Sequence, residues 1–166
     1  MRLAHVWLKH FGPYGGPDGV SYPLADRGLV LLQGRSTDGT GADSNGSGKT
    51  TLAMSTLWAL TGSLDTRLVP DGKVTDVAYD DGTGARRSAE VSVSGTINGK
   101  EFQVTRRRGG RDVKGSELTF VLGGVDLTTQ SIKDTQEVID NELGGYYGSN
   151  GWESEGRFGL LFFYFQ

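Results

Sequence analysis

Alternation of apolar and polar residues dominates the middle of the chain. Residues 89–97 alternate as a half-buried strand does, and Asn98-Gly99, the strongest two-residue hairpin signal, separates them from a second such run at 101–106. Two further strand-like runs, at 116–122 and 125–127, flank a diglycine turn. The pattern predicts an antiparallel β meander.

Strand-like runs also occupy the N-terminal part. Residues 3–9 predict a first strand, a turn-rich segment follows at 11–19, and residues 20–24 are expected to return antiparallel. His5 and His10 are interpreted as strand and strand-end residues rather than as metal ligands, because two histidines are too few for a histidine-built centre.

Helical periodicity appears in two segments, the first of them at 50–61. It places Ala53, Leu57 and Leu60 at i, i+4 and i+7, so these residues are expected on the buried face. Gly62 is expected to end the helix, since glycine adopts the left-handed conformation that a helix C-terminus favours.

The second helix follows the meander. Thr128 or Ser131 is expected to be its N-cap, and it runs to about Leu143 before Gly144-Gly145. Its predicted buried face comprises Ile132, Thr135, Val138, Ile139 and Leu143.

A glycine-rich loop at 43–51 leads into the first helix and has the chemistry of a phosphate site. Backbone N–H groups converge on phosphate oxygens where glycines allow tight turns, and a lysine then meets the β- and γ-phosphates. Gly46, Gly48 and Lys49 stand at these positions, and Thr50 offers the hydroxyl that such loops use on Mg²⁺. The segment therefore predicts a P-loop.

The loop departs from the strict pattern G-x-x-x-x-G-K-[ST], because Asp43 stands where the first glycine belongs. A glycine-serine surface loop is the alternative. The order of elements favours the P-loop: an apolar run at 29–33 predicts a buried strand, a long polar entry at 34–41 follows, and the loop opens an amphipathic helix.

Composition limits the classes of function. The 166 residues suit one domain, and the absence of cysteine excludes disulfides and thiolate metal sites. We expect any metal to be Mg²⁺ that arrives with nucleotide. Neither a secretory leader nor a long apolar span is evident, so we expect an intracellular, soluble protein, in the cytoplasm and nucleoid or in the nucleus according to its source.

A net charge of −3 does not indicate nucleic-acid binding by the chain as a whole. The one dense basic cluster comprises Arg106, Arg107, Arg108, Arg111 and Lys114. It has two interpretations: a solvated hairpin end, or a contact with a phosphate backbone or a nucleotide.

With these motifs in place, the chain resembles the N-terminal lobe of the SMC-like ABC ATPases of double-strand-break repair, the SbcC type. The resemblance rests on a short aromatic turn at 9–12, a strand that ends in glycine, and the Asn-Gly-Ser-Gly-Lys-Thr loop at 45–50. A subgroup has an extended entry of the form G-x-N-x-D and lacks the first P-loop glycine. The residues that match this entry and the loop start are Gly34, Asp38, Ser44, Asn45 and Gly46, with Ser36 replacing the asparagine.

The resemblance implies an α/β fold, in which residues 1–166 form the N-terminal lobe of an ABC-type ATPase head with an antiparallel β meander beside the P-loop helix. It implies ATP and Mg²⁺ as cofactors. Lys49 and Gln166 are the implied catalytic residues, and Thr50 and Gln166, the latter as the Q-loop glutamine, the implied metal ligands. The residues implied to bind ATP are Ser44, Asn45, Gly46, Ser47, Gly48, Lys49, Thr50 and Thr51.

The implied activity is ATP hydrolysis coupled to DNA processing by a nuclease subunit. The implied partners are the chain's own C-terminal lobe, a second copy joined through ATP, the nuclease and double-stranded DNA, with no membrane.

Such ATPases also need an acidic motif, an apolar run followed by Asp-Glu, to hold Mg²⁺ and activate water. This motif is not present in the sequence; the nearest segment, 121–126, is interrupted by glycines. The apolar end at 159–166 suggests a truncation before the coiled coil. We therefore expect an ATPase in the complete protein and an inactive fragment.

Two alternatives remain. A self-contained P-loop kinase or NTPase requires an internal Mg²⁺-binding aspartate and an arginine-rich lid, for which Asp126 and residues 106–111 are poor substitutes. A structural, chromosome-organising SMC protein has a lobe of the same kind, and the sequence hardly separates it from a repair ATPase.

Overall fold

The computed structural model describes residues 1–26, 33, 48–63, 78–79, 82 and 86–143. Within these ranges the protein is a mixed α/β structure with one six-stranded antiparallel sheet and two helices. The strands are β1 (Arg2–Lys9), β2 (Val20–Pro23), β3 (Ala89–Ile97), β4 (Lys100–Arg108), β5 (Glu117–Leu122) and β6 (Val125–Asp126). The helices are α1 (Lys49–Thr61) and α2 (Ile132–Leu143), and the strand order is β2-β1-β3-β4-β5-β6.

The antiparallel meander is confirmed. Asn98 and Gly99 join β3 to β4 with φ angles of 49° and 76°, the positive values that a tight hairpin turn of this twist requires. Gly123 and Gly124 join β5 to β6 with φ angles of 58° and 80°. The return of β2 along β1 is antiparallel as well, with Val6 opposite Tyr22.

Several predictions lie outside the described residues. They are the strand at 29–33, of which Gln33 alone is described, the entry at 34–41, the loop residues 43–47, the end of the second helix at 144–145 and the C-terminal segment with Gln166.

One face of the sheet is buried and the other is polar. Alternate residues of the central strands are fully enclosed, as in β3 with Val91 and Val93, and both helices cover this face: α1 packs on β3 and β4, and α2 packs on β5. On the opposite face, Ser92 accepts hydrogen bonds from the side chains of Gln103 at 3.0 Å and Thr105 at 2.9 Å. The core therefore lies between the helices and one side of the sheet.

Helix α1 buries a different stripe from the one that its sequence predicts. Ala53 and Leu57 are only half-buried, whereas Leu60 is enclosed as expected. The enclosed residues are Leu52, Ser55, Thr56, Trp58, Ala59 and Leu60. A buried serine is tolerated because the Ser55 hydroxyl donates to the Leu52 carbonyl at 2.7 Å.

The C-terminal end of α1 and the N-terminal end of α2 agree with the sequence. Gly62 has φ 72° and its N–H donates to the Trp58 carbonyl at 2.8 Å, so it is the C-cap of α1. Ser131 is the N-cap of α2, because its hydroxyl accepts from the N–H of Asp134 at 3.0 Å. Thr128, the other possible cap, instead accepts from a backbone N–H of β5.

The buried face of α2 is predicted correctly for three of its residues. Thr135, Ile139 and Leu143 are fully enclosed, and Val138 is partly buried against the core. Ile132 is 40% exposed, so its placement in the core was wrong. It is the first residue of α2. Neither helix in the described ranges is long and apolar enough to cross a membrane.

Arg106 corrects the interpretation of the basic cluster. It lies on the buried side of β4 in step with Phe102 and Val104, and it is only 8% exposed. Its Nε donates to the carbonyl of Ala59 at 3.1 Å, and its guanidinium lies 6.0 Å from the centre of the Trp58 ring. Arg106 is therefore a core residue and not part of a solvated patch.

Gln136 of α2 completes this arrangement. Its side-chain oxygen accepts from Arg106, while its Nε2 donates to the carbonyl of Leu60 at 2.9 Å and to Asp140 at 2.8 Å. The last carbonyls of a helix lack partners within the helix. Arg106 and Gln136 thus satisfy two of them at the C-terminal end of α1.

Replacing Arg106 by methionine is expected to lower the free energy of unfolding by about 2 to 4 kcal/mol, since buried carbonyls and Gln136 lose a charged donor. Arg108→Met, on the same strand, is the matched control and should change stability by less than about 1 kcal/mol. Urea unfolding followed by circular dichroism measures both. Equal effects in the two variants would contradict the capping role.

Candidate functional site

The N-terminal end of α1 is where the sequence predicts the phosphate site. Gly48 is the N-cap residue, with φ 87° and ψ 4° in the left-handed region, and the helix begins at Lys49. The first helical hydrogen bond runs from the N–H of Leu52 to the carbonyl of Gly48 at 2.8 Å. Lys49, Thr50 and Thr51 thus share the first turn, although their proposed roles toward ATP stay predictions.

This end of the helix favours an anion for two reasons. The first N–H groups of an α-helix have no acceptor within the helix, and the helix dipole places partial positive charge there. No residue of the first turn of α1 is acidic. A phosphate group at this position would therefore meet donors and Lys49 without a competing carboxylate from that turn.

The turn that follows β1 packs on α1 at two places, at Trp58 towards the C-terminal end and at Thr51 in the first turn. Phe11 is fully buried, and its ring lies 5.1 Å from that of Trp58 in α1. Gly12 approaches Thr51 so closely that a Cβ on it would lie 2.5 Å from the Thr51 methyl carbon. The 11–14 turn therefore fixes the first strand of the sheet to the first turn of α1.

Gly48 is enclosed by the same turn. A Cβ on Gly48 would lie 2.8 Å from Cγ of Pro13 and 3.0 Å from the ring of Tyr14. The hydroxyl of Tyr14 donates to the carbonyl of Gly48 at 3.0 Å. Glycine is thus required here both for its positive φ and for the space that its missing side chain leaves.

Tyr14 keeps its proton throughout the physiological range. Burial raises the pKa of its hydroxyl to about 12, and the neighbouring Tyr22 contributes to this rise through its charge and a hydrogen bond. The two rings meet edge to face with centroids 6.4 Å apart. Tyr14 therefore acts as a hydrogen-bond donor to Gly48 at neutral pH.

His10 lies beside this turn, at the end of β1 as the sequence predicts. It is 5% exposed with φ 50°, and its Nδ1 is 3.7 Å from a carboxylate oxygen of Asp112. Burial raises the pKa of Asp112, but hydrogen bonds from the backbone of Ser88, Asp112 and Val113 outweigh it and leave the pKa lowered. In the described part of the chain, no three His, Cys, Asp or Glu side chains gather as a metal site requires.

The predicted site residues are therefore only partly brought together. Gly48, Lys49, Thr50 and Thr51 lie on one turn. The remaining predicted ligands, Ser44, Asn45, Gly46, Ser47 and Gln166, lie outside the described residues, so their placement stays a prediction. The sequence analysis did not predict that Pro13 and Tyr14 pack on Gly48. The only signal in the sequence was the Phe-Gly-Pro-Tyr turn at 11–14, which combines turn residues with two aromatic residues.

Arg107, the member of the basic cluster on the polar face of the sheet, lies beside acidic residues. Lys9, Glu90, Arg107 and Glu117 lie side by side on neighbouring strands, so that charges alternate across the polar face. Arg107 forms an ion pair with Glu117 at 2.6 Å. The triple arginine therefore contributes one buried residue and one paired residue rather than three solvated charges.

No protein-family model matches the chain. No curated protein matches it either. The fold is similar to a solved structure described as the "SMC head domain from Thermotoga maritima", with 24% sequence identity and a TM-score of 0.49. The match covers 83% of this chain and 42% of that chain, so this chain spans less than half the length of the solved domain.

Replacing Gly48 by alanine is expected to lower the free energy of unfolding by about 1 to 3 kcal/mol, because a side chain at φ 87° is strained and collides with Pro13. Gly16→Ala is the matched control: a Cβ on Gly16 meets no atom within 4 Å, and stability should change by less than about 0.5 kcal/mol. Chemical unfolding of the two variants tests this, and a neutral Gly48→Ala would contradict the close packing.

Proposed function

We propose that the chain is the nucleotide-binding N-terminal lobe of an SMC-like ABC ATPase head. In this proposal, residues 44–51 bind ATP: backbone N–H groups of 45–49 surround the β-phosphate, Lys49 bridges the β- and γ-phosphates, and Thr51 lies near the α-phosphate. Thr50 supplies a hydroxyl to Mg²⁺. ATP hydrolysis belongs to the complete protein, in which Gln166, a C-terminal lobe and a second head contribute.

The observation that carries the proposal is the start of α1. A glycine in the left-handed conformation is followed at once by Lys49 and Thr50 in the first helical turn, without an acidic residue there. This is the arrangement in which a glycine-rich loop presents N–H donors and a lysine to phosphates. The packing around Gly48 supports the proposal further. Pro13 and Tyr14 lie so close that a Cβ on residue 48 would collide with them, so this position requires the glycine of the loop.

The finer assignment follows from the sequence resemblance. We propose a repair or recombination ATPase of the SbcC type, in which ATP joins two heads and the complex controls a nuclease subunit acting on double-stranded DNA. A chromosome-organising SMC protein and a self-contained P-loop kinase or NTPase remain the competing assignments. Steady ATP hydrolysis by the purified chain, abolished by Lys49→Ala, would favour the kinase or NTPase.

The nucleotide site is tested by titrating ATP with and without Mg²⁺. Lys49→Ala should weaken ATP binding by about tenfold or more in both conditions, because it removes a charged donor to the phosphates. Thr50→Ala should weaken binding mainly when Mg²⁺ is present, because its hydroxyl acts through the metal. Isothermal titration calorimetry measures both.

Lys100→Ala is the matched control, since this exposed lysine lies in β4 at the hairpin with β3, and its removal should leave ATP binding unchanged. If Lys49→Ala and Thr50→Ala showed the same fall in affinity without Mg²⁺, the proposed division of roles would be wrong. Full ATP binding by Lys49→Ala would remove the P-loop assignment itself.

We propose DNA association for the ATP-bound dimer and not for this lobe alone, whose net charge is −3. ATP should therefore raise the affinity of the complete protein for double-stranded DNA and steepen its salt dependence. The double variant Arg108→Glu with Lys114→Glu changes the end of β4 and the loop that leads to β5, called here the hairpin end. It should reduce the slope of log K against log salt by roughly 0.9 for each DNA phosphate that is no longer neutralised.

The control for this experiment is Lys100→Glu with Lys133→Glu, which reverses two charges elsewhere on the surface. Fluorescence anisotropy of labelled duplex DNA over a salt series gives affinity and slope together. An unchanged slope in the first double variant would show that the hairpin end does not touch DNA.

A further inference from the structure

The carbonyl of Gly48 accepts two hydrogen bonds from different parts of the fold. One comes from the N–H of Leu52 at 2.8 Å and is the first bond of α1. The other comes from the hydroxyl of Tyr14 at 3.0 Å and joins residues 34 positions apart in sequence. The orientation of this carbonyl is therefore set by the 11–14 turn as well as by the helix.

The carbonyl of Gly48 and the N–H of Lys49 belong to the same peptide unit. Because the unit is planar and trans, these two groups point in opposite directions, and fixing one fixes the other. Gly48 itself has no side chain to hold this orientation, and without a Cβ its backbone could adopt other angles than the φ of 87° seen here. The Tyr14 hydroxyl is therefore a second donor, beside the N–H of Leu52, that holds this peptide before a ligand binds.

Tyr14 is well placed to be this donor because it is itself fixed. Its backbone N–H donates to the carbonyl of Phe11 at 3.1 Å, and Phe11 is fully buried against Trp58. Its ring is partly buried and packs edge to face with Tyr22. The hydroxyl is therefore carried on a turn that is anchored to both the sheet and α1.

We propose that Tyr14 is a positioning residue for the phosphate site. Its hydroxyl holds the Gly48 carbonyl and thereby aims the N–H of Lys49 at the phosphates before the ligand arrives. The inference rests on the proposed function of residues 44–51. Tyr14 does not contact the nucleotide; it lowers the ordering that binding would otherwise require.

A positioning role of this kind makes a specific prediction about ligands. Removal of the hydroxyl should weaken every ligand that has phosphates, including inorganic tripolyphosphate, because all of them use the same N–H group. The decrease in affinity should be about twofold to tenfold, the range that corresponds to one hydrogen bond. It should persist without Mg²⁺, unlike the decrease in Thr50→Ala, because the metal plays no part in it.

The experiment compares Tyr14→Phe with Tyr79→Phe in the full chain. Tyr79 flanks the same turn, where its ring stacks on His10 and lies over Gly15, so this control removes a neighbouring hydroxyl with the ring retained. Calorimetric titration with tripolyphosphate and with ATP, each without Mg²⁺, gives the affinities. Thermal unfolding without ligand reports on stability separately, and Lys49→Ala serves as the reference for the site.

The expected result is weaker binding of both ligands by Tyr14→Phe, wild-type binding by Tyr79→Phe, and recovery when residue 14 is p-aminophenylalanine, whose amino group is again a donor. Wild-type affinity in Tyr14→Phe, alongside weakened binding in Lys49→Ala, overturns the positioning role and leaves the proposed function standing. Equal decreases in Tyr14→Phe and Tyr79→Phe, or no recovery with the amino variant, also overturn it. Failure of the wild-type chain to bind either ligand overturns both proposals.

Discussion

The two ends of α1 are held by side chains from outside the helix, and the rest of the described structure depends on this. At the N-terminal end, Tyr14 donates to Gly48, and at the C-terminal end, Arg106 and Gln136 donate to Ala59 and Leu60. Helix ends leave backbone groups without partners, and burial makes such groups expensive. At the C-terminal end of α1 the fold satisfies two of these groups with the buried Arg106 and with Gln136.

These interactions come from elements that the sheet holds at fixed separations. Tyr14 follows β1 and Arg106 belongs to β4, with β3 hydrogen-bonded between the two strands. A change of register by one residue would turn every side chain of a strand to the opposite face, so Arg106 would leave the core together with Phe102 and Val104. The register of the meander therefore decides whether Arg106 reaches the carbonyl of Ala59 at the C-terminal end of α1.

The sequence predicts the meander, the C-cap of α1 and the N-cap of α2 well because these depend on local signals. Period-two alternation, Asn98-Gly99 and Gly62 each determine conformation within a few residues. The buried stripe of α1 was missed because Ser55 and Thr56 are polar yet enclosed, which hides the helical period. The burial of Arg106 could have been predicted, because it alternates along β4 with the same period as the buried Phe102 and Val104. The hydrogen bond between Tyr14 and Gly48 could not, because it depends on tertiary packing that no local pattern encodes. The phosphate site stays a prediction from its motif; the described residues show that the chain passes from a left-handed glycine at residue 48 into a helix.

The same register decides how charge is distributed on the polar face. Lys9, Glu90, Arg107 and Glu117 form a row of alternating sign across four strands, and neighbours of opposite charge stabilise a sheet modestly while cancelling each other's field at a distance. In the sequence, three consecutive arginines suggest a phosphate-binding patch. In the sheet, successive side chains of β4 lie on opposite faces, so Arg106 lies in the core and Arg107 lies in the row of alternating charges. The other members of the cluster, Arg108, Arg111 and Lys114, lie at the end of β4 and in the loop that leads to β5. Along the chain the five residues form one basic cluster, whereas the sheet separates them into a core residue, an ion-paired residue and three residues at one end of the β4–β5 hairpin.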